Sequence, residues 1–370
     1  MLNDPRLSAR TRGLESSGIR RVFDLGASLQ DPVNFSIGQP DFPVPLPVRE
    51  AAKRAIDQGW NRYTPTQGIA PLRERLAHKL AVENGVTVDV DDVLVTSGSS
   101  GGIFLAFACL LDPGDEIIVP DPYFVMYVQL ASFFGARPVL VDTYPDFQLD
   151  PERVAAAITP RTKAILLNSP NNPTGAVYSA QTLRSVAEIA AKHGVVVISD
   201  EVYEPFIYDG LQHFSVGSVY PDTITLNAFS KTHSLTGWRI GYAAGPRAIL
   251  EKMKELQQYT FVCAPSFAQV AALTALAIGP AQEVAGYAHR RDLIYEGLRR
   301  RFEVARPQGA FYIMPKVDEV DSGAFVERAL ARNVLLIPGG VFSSRSSHVR
   351  LSFATSEEQI QKGVEILLSL

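Results

Sequence analysis

The central part of the chain alternates between two kinds of segment, and this alternation limits the folds open to it. Short runs rich in β-branched residues predict strands at 93–96, 116–119, 137–141, 164–168, 195–199, 223–227 and 239–243. Amphipathic stretches, most clearly 102–111, 180–192 and 247–259, predict helices that follow some of these strands. Such alternation favours a mostly parallel sheet between helices. We therefore predict an α/β fold with a seven-stranded sheet in a large domain.

The pattern changes near residue 280. Helical stretches at 283–302 and 322–332 alternate there with brief strands near 311–314, 334–337 and 348–353. This mixture of helices and brief strands predicts a smaller α+β domain. A chain of 370 residues also favours two domains over a single core.

Composition argues against several classes of partner. The formal net charge of −4 disfavours a nucleic-acid surface or a basic membrane-binding face. The longest apolar stretch, 103–111, is far shorter than the about 20 residues of a membrane helix, and the first residues lack the apolar segment of a signal peptide. Cys109 and Cys263 have no CxxC spacing and are interpreted as reduced thiols. We predict a cytoplasmic protein with no nucleic-acid or membrane partner.

Polar residues follow several of the predicted strands. Gly98, Asn172, Asp200 and Lys231 each come after one, and ligands of such sheets bind beyond the carboxyl ends of the strands. Lysine can form an imine, aspartate can sit under a pyridine nitrogen, and Arg239 can bind a phosphate. These three functions are what pyridoxal 5'-phosphate (PLP) requires of a protein. The sequence therefore predicts PLP as the cofactor.

Five short motifs resemble those of a known family. They are 37–42 (IGQPDF), 171–175 (NNPTG), 199–203 (SDEVY), 230–239 (SKTHSLTGWR) and 350–354 (RLSFA). Together they resemble the fold-type I, PLP-dependent class I and II aminotransferases, in the branch of the aspartate and aromatic aminotransferases. The resemblance covers nearly the whole chain. It implies an N-terminal segment, 1–45, that joins the small domain, a large PLP-binding domain at 46–280 and a small C-terminal domain at 281–370.

Three residues are predicted to be catalytic. Lys231 is the predicted Schiff-base lysine, and once freed it moves the proton between the substrate Cα and the cofactor. Asp200 ends an apolar run and is predicted to pair with the pyridine nitrogen, although a helix N-cap is the alternative. Tyr203 and Asn172 are predicted to donate to the phenolic oxygen of the cofactor. Glu201 is interpreted as an ordinary surface or loop charge.

A phosphate site is predicted where a strand leads into a helix. The backbone N–H groups of a helix start and nearby hydroxyls suit an anion. The residues assigned to this site are Gly98, Ser99, Ser100, Ser230 and Arg239. Many family members carry a serine where this chain has Ala228, so one phosphate contact is predicted to be missing or replaced.

The resemblance implies further contacts. Tyr63 is expected to reach the phosphate of the neighbouring subunit, which implies a homodimer with shared active sites. Phe124 is expected to stack on the cofactor ring, with Tyr123 as the adjacent alternative. Arg350 is expected to bind the substrate α-carboxylate in a bidentate manner, with Gly38 and Asn172 also at the substrate. No metal site is predicted, because no histidine pair has ligand spacing.

The leading functional hypothesis is a PLP-dependent aminotransferase. It would move the amino group of an L-amino acid to a 2-oxo acid such as 2-oxoglutarate by a ping-pong mechanism. The donor stays open between aspartate, aromatic and broad aliphatic amino acids. Some relatives place a lysine where this chain has Ser99 and Ser100, and Arg12, Arg20 and Arg21 are alternative cations for an acidic donor.

Three other functions are alternatives to this hypothesis. A PLP-dependent C–S β-lyase would use much the same cofactor site. A non-catalytic, aminotransferase-like effector-binding protein is disfavoured, because the chain leaves no room for a DNA-binding module before residue 37. A nicotinamide-dependent enzyme is disfavoured because the strand–GxGxxG–helix unit is missing.

Overall fold

The computed structural model describes residues 4–14, 18–26, 29–318 and 321–370. Within these ranges the helices, α1 to α14 in chain order, are Ala9–Arg12, Gly18–Gly26, Leu46–Asp57, Ala70–Glu83, Gly98–Leu110, Val125–Phe133, Pro151–Ala157, Ala180–His193, Phe229–Thr232, Arg247–Tyr259, Ser266–Ala275, Ala281–Leu298, Ser322–Ala331 and Glu357–Leu368. The strands, β1 to β12, are Val33–Asn34, Val93–Thr96, Glu116–Asp121, Arg137–Asp142, Thr162–Asn168, Val196–Asp200, Thr223–Ala228, Gly241–Ala244, Tyr312–Ile313, Val334–Leu335, Ile337–Pro338 and Val349–Ser352.

The large sheet has seven strands in the order β2-β8-β7-β6-β5-β3-β4. The neighbours from β7 to β4 pair in parallel, whereas β8 is antiparallel to both β2 and β7. The predicted α/β fold with a mostly parallel seven-stranded sheet is therefore confirmed. One strand begins two residues later than predicted. The strand predicted at 239–243 begins only at Gly241, because Arg239 adopts a left-handed conformation with φ of 53°.

Helices cover both faces of this sheet. On one face, α5 packs against β7, β8 and α10, and on the other α7 packs against β4 and α8. Strands β3 and β7 are buried along their whole length, and the centre of β3, 117–119 (IIV), is the continuous apolar run expected of a strand covered on both faces. Helix α8 has clear local signals at its ends. The Ser179 hydroxyl accepts from the backbone N–H of Thr182, and the helix stops at Gly194, whose φ of 63° suits glycine.

The C-terminal part forms a second layer. Strands β11, β12 and β9 make an antiparallel sheet, and α12 packs against α14. The N-terminal strand β1 pairs in parallel with β10, with Val33 opposite Val334. This pairing agrees with an N-terminal segment that joins the small domain, while the boundaries at residues 45 and 280 stay predictions. Among the described residues, no helix has both the length and the apolar character needed to cross a membrane.

Candidate active site

One cavity of about 850 Å³ gathers most of the predicted site residues. The predicted residues that line it are Gly38, Ser99, Ser100, Phe124, Asn172, Asp200, Tyr203, Ser230, Lys231, Arg239 and Arg350. These residues come from segments as far apart in sequence as 38 and 350, so the folded chain and not local sequence brings them together. Gly98 and Tyr63 do not line the cavity.

Lys231 lies on the short helix α9, which directly follows β7. Its Nζ donates a 2.5 Å hydrogen bond to the carbonyl of Gly38. Burial, together with the nearby cations Arg350 and Arg239, lowers the pKa of Lys231 to about 8. A lowered pKa increases the fraction of neutral amine at neutral pH, and only the neutral amine is nucleophilic.

Asp200 is the last residue of β6 and is buried. One carboxylate oxygen accepts a 2.8 Å hydrogen bond from the hydroxyl of Tyr127, and the other accepts a longer one from the backbone N–H of Val202. Both donors are uncharged. Burial therefore dominates and raises the pKa of Asp200 to about 6. A cation or a protonated ring nitrogen in the cavity would stabilise this carboxylate.

Tyr203 and Tyr312 form a buried pair of phenols. Their hydroxyl oxygens lie 2.8 Å apart, and either can be the donor. Tyr312 lies on β9 and also lines the cavity. Gly38 packs directly on it, because a Cβ at Gly38 would lie only 2.5 Å from the Tyr312 hydroxyl. This close approach gives a steric reason for glycine at position 38.

Arg350 lies on β12 and is only 1% exposed. It donates one hydrogen bond to Oδ1 of Asn172 (3.1 Å) and one to the carbonyl of Ser36 (2.7 Å). Its guanidinium lies between the rings of Tyr312 and Phe342, at 4.8 and 4.5 Å from their centroids. Its Nε–H has no hydrogen-bond partner within the described ranges. A buried guanidinium with a spare donor beside a cavity is well suited to a carboxylate.

The start of α5 and Arg239 form an anion cradle. Helix α5 begins at Gly98, where φ is 69°, and Ser99 and Ser100 of its first turn line the cavity. The Arg239 guanidinium packs on this start so closely that a Cβ at Gly98 would lie 2.7 Å from Nη2. It is held by a 2.9 Å hydrogen bond from Nη1 to the carbonyl of Thr236. Helix N–H groups, hydroxyls and a guanidinium in one place favour a phosphate.

Other predicted residues occupy varied positions. Phe124 lines the cavity and packs edge-on against Tyr127, with ring centroids 5.6 Å apart. Tyr63 is 84% exposed and lies outside the cavity of its own chain. Arg20 lines the cavity on α2, whereas Arg12 on α1 is exposed and does not line it. The side chain of Arg21 lies outside the described residues.

The interpretation of Glu201 as a surface or loop charge is wrong, since this side chain is only 1% exposed. Glu201 accepts hydrogen bonds from two serine hydroxyls and lies 2.9 Å from Nε2 of His213. Nearby Glu204 pairs with Lys79 and accepts from Asn84 at 2.7 Å. The ligand atoms of Glu201, Glu204 and His213 lie within 4.8 Å of one another. The Lys79 ammonium supplies positive charge to this cluster, and Glu201 and Glu204 lie on the same segment after β6 as Tyr203.

Among the lining residues that sequence reasoning missed, three have side chains that hydrogen-bond to predicted site residues. Tyr127 holds Asp200, and Tyr312 holds Tyr203. Asn168 donates to the carbonyl of Asp200 and accepts from the backbone N–H of Asn172. Asn168 was detectable, because it is a polar residue at the end of a predicted strand. Tyr127 and Tyr312 lie within apolar segments and carry no local signal.

The known proteins to which this chain is similar include aminotransferases. Residues 30–367 match the family described as aminotransferase class I and II. A probable aspartate aminotransferase of Methanocaldococcus jannaschii is 41% identical over 98% of both chains. An aspartate/prephenate aminotransferase of Thermus thermophilus is 42% identical over 97% of both.

A solved structure agrees with these relatives. The aspartate aminotransferase from Thermus thermophilus with maleate superposes with a TM-score of 0.93 at 41% identity, covering 98% of this chain and 99% of that one. The match spans both the large sheet and the C-terminal layer, so the whole architecture is shared and not only one domain. The chain therefore belongs to the aminotransferase class I and II family, whose members are fold-type I enzymes that use pyridoxal phosphate, and it is itself an aminotransferase.

Proposed function

We propose that this aminotransferase moves the amino group of an L-amino acid to a 2-oxo acid such as 2-oxoglutarate, by a ping-pong mechanism. The observation that carries the proposal is the convergence of Lys231, Asp200, Arg239 and Arg350 on one cavity. We infer that the donor is aspartate, an aromatic amino acid or an aliphatic one. Relatives whose printed names include aspartate, prephenate and aromatic amino acids support the first two classes.

The cavity fits pyridoxal phosphate on three grounds. Asp200 is a buried carboxylate whose hydrogen-bond donors are uncharged, so a protonated ring nitrogen would compensate it. Lys231 is an amine with a lowered pKa in the same cavity. The start of α5 with Arg239 suits the phosphate. Phe124 borders the cavity and offers an aromatic face, with Tyr123 beside it.

Each residue would then have one task. Bound pyridoxal phosphate supplies an electron sink for the bond-breaking step at the substrate Cα. Lys231 Nζ takes up the Cα proton and returns it, since its lowered pKa suits both steps. Arg350, assisted by Asn172, binds the α-carboxylate and orients the Cα–H bond toward Lys231. Tyr203 lines the cavity and would donate to the phenolic oxygen of the cofactor, and Ser230 would add a hydroxyl to the phosphate site.

We also propose a homodimer in which Tyr63 completes the phosphate site of the partner subunit. The position of Tyr63 supports this proposal, because its side chain is 84% exposed and lies outside the cavity of its own chain, so it is accessible to a partner subunit. Trp60, Tyr259 and Phe261 are further exposed aromatic side chains. Trp60 and Tyr63 both lie in the loop between α3 and α4, and the carbonyl of Trp60 accepts a hydrogen bond from Ser266 on α11.

A half-reaction screen tests the proposed function. The protein loaded with pyridoxal phosphate is mixed singly with aspartate, glutamate, alanine, phenylalanine and tyrosine, and its visible spectrum is recorded. We expect aspartate or an aromatic donor to convert the cofactor to its amino form, and Lys231→Ala to abolish this conversion. Release of pyruvate and ammonia from a cysteine conjugate without a 2-oxo acid would instead identify a β-lyase. A spectrum that no donor changes would contradict the proposal.

A further inference from the structure

The hydrogen bond between the two phenols can run in either direction. Tyr203 and Tyr312 are both buried, and their oxygens are 2.8 Å apart. Each phenol has one proton to donate. If Tyr203 donates its proton to Tyr312, none remains for the cavity. If Tyr312 is the donor, the Tyr203 proton is free to point into the cavity.

The surroundings of Tyr312 favour the second arrangement. The Arg350 guanidinium lies 4.8 Å from the centroid of the Tyr312 ring. A cation this close withdraws electron density from the phenol and makes its O–H a stronger donor. Its positive charge also acts to lower the pKa of Tyr312, against the larger effect of burial. Gly38 packs against the same hydroxyl and limits the space in which it can turn.

A chain of donors follows from this geometry. A hydroxyl that accepts a hydrogen bond becomes a better donor itself, because successive hydrogen bonds polarise one another. A Tyr203 phenol that accepts from Tyr312 would therefore donate more strongly to an acceptor in the cavity. The contacts needed run from the Arg350 guanidinium to the Tyr312 ring and from the Tyr312 hydroxyl to the Tyr203 hydroxyl.

We propose that Tyr312 is a positioning residue, whose O–H donates to Tyr203 and thereby directs the Tyr203 proton toward the cofactor oxygen. The proposal rests on the proposed function, because it assumes the cofactor and the role of Tyr203 given above. Tyr312 acts through Tyr203 and makes no bond to the cofactor itself. Its removal should therefore weaken the donation by Tyr203 without emptying the site.

The test is a spectral pH titration of the protein loaded with pyridoxal phosphate. A donor to the cofactor oxygen stabilises the deprotonated form and lowers the pH midpoint of the visible band. We expect Tyr312→Phe to raise that midpoint by about 0.5–1 pH unit, which corresponds to one weakened hydrogen bond. Tyr203→Phe should raise it at least as far. In the double variant, Tyr312→Phe should add nothing, since its effect runs through Tyr203.

Tyr208→Phe is the matched control. Tyr208 is also buried, its hydroxyl donates to the carbonyl of Ala310, and Arg291 lies 5.0 Å from its ring centroid. It does not line the cavity. This variant should lose a comparable buried hydrogen bond yet leave the midpoint unchanged. Thermal melting of all variants separates a spectral effect from a loss of folding.

The possible outcomes distinguish the role of Tyr312 from the proposed cofactor site. If the parent protein loaded with pyridoxal phosphate shows the visible band but Tyr312→Phe has the same pH midpoint, the role of Tyr312 is refuted. The proposed function would then remain intact. An equal shift in the Tyr203→Phe background would also overturn the role of Tyr312, because Tyr312 would then act directly. The absence of any band in the parent protein would refute the cofactor site itself, and with it the inference.

Discussion

The largely buried pair of Lys79 and Glu204 should make the stability of the fold sensitive to the loss of either partner. Their side chains are only 12% and 15% exposed, and Asn84 adds a hydrogen bond to Glu204. Removing one partner of a buried pair leaves an uncompensated charge, at a cost of about 3–5 kcal/mol. Glu83 lies 3.8 Å from Lys79 and is well exposed, so it compensates part of the loss in Glu204→Gln. We therefore expect Glu204→Gln to lower the free energy of unfolding by about 3 kcal/mol.

A double-mutant cycle isolates this interaction. Lys79→Met should also destabilise the fold, since it leaves Glu204 with only its remaining partners. The double variant should lose about 2 kcal/mol less than the sum of the single variants, because neither charge is then left alone. The assay is urea unfolding of the cofactor-free protein, followed by circular dichroism.

The control is the exposed pair of Lys53 and Glu50, whose side chains are 69% and 42% exposed. Glu50→Gln removes the same chemical group from another lysine–glutamate pair, but water screens that pair. It should not change the unfolding midpoint measurably. If the losses from Lys79→Met and Glu204→Gln simply add, to within about 0.5 kcal/mol, the pair is not coupled and the reasoning is wrong.

Three further predictions concern the cavity. Arg350→Lys should raise KM for the amino acid about 10- to 100-fold, because lysine cannot bind a carboxylate through two parallel bonds; an unchanged KM would exclude Arg350 from that role. In cofactor-free protein the folded state holds the pKa of Lys231 at about 8 instead of 10.5, so the unfolded state binds more protons between these values. The free energy of unfolding of the parent protein, relative to that of Lys231→Met, should therefore rise from pH 8 to 10.5. Plots of unfolding free energy against pH that run parallel for the two proteins would contradict this. Mixing inactive Lys231→Ala with inactive Tyr63→Ala subunits should restore partial activity, because one site of the hybrid dimer keeps both residues; no recovery would argue against a shared site.

Local sequence was sufficient to predict the sheet. Most strands are short runs rich in β-branched or apolar residues, and this signal does not depend on distant residues. The same holds for Asp200 and Lys231. Each follows a strand, and the carboxyl ends of parallel strands meet at one edge whatever the details of packing. Their proximity was therefore predictable before any contact was known.

Other features were decided by contacts between distant parts of the chain. Tyr127 and Asp200 are 73 residues apart, and Tyr203 and Tyr312 are 109 apart. Such partners are selected by how helices and strands pack, which periodicity does not encode. Glu201 was misread for this reason, because its neighbour in sequence, Asp200, gave no sign that both carboxylates are buried.

Sequence by itself thus determined the α/β fold, the family and the site residues, such as Asp200 and Lys231, that follow strands of the sheet. It did so because hydrophobic period and residue type act over a few neighbours at a time. Tertiary structure decided which phenol holds Tyr203, why Gly38 must be a glycine and how Arg239 turns onto the start of α5. These depend on distances of a few ångströms between segments that only the packed fold brings together.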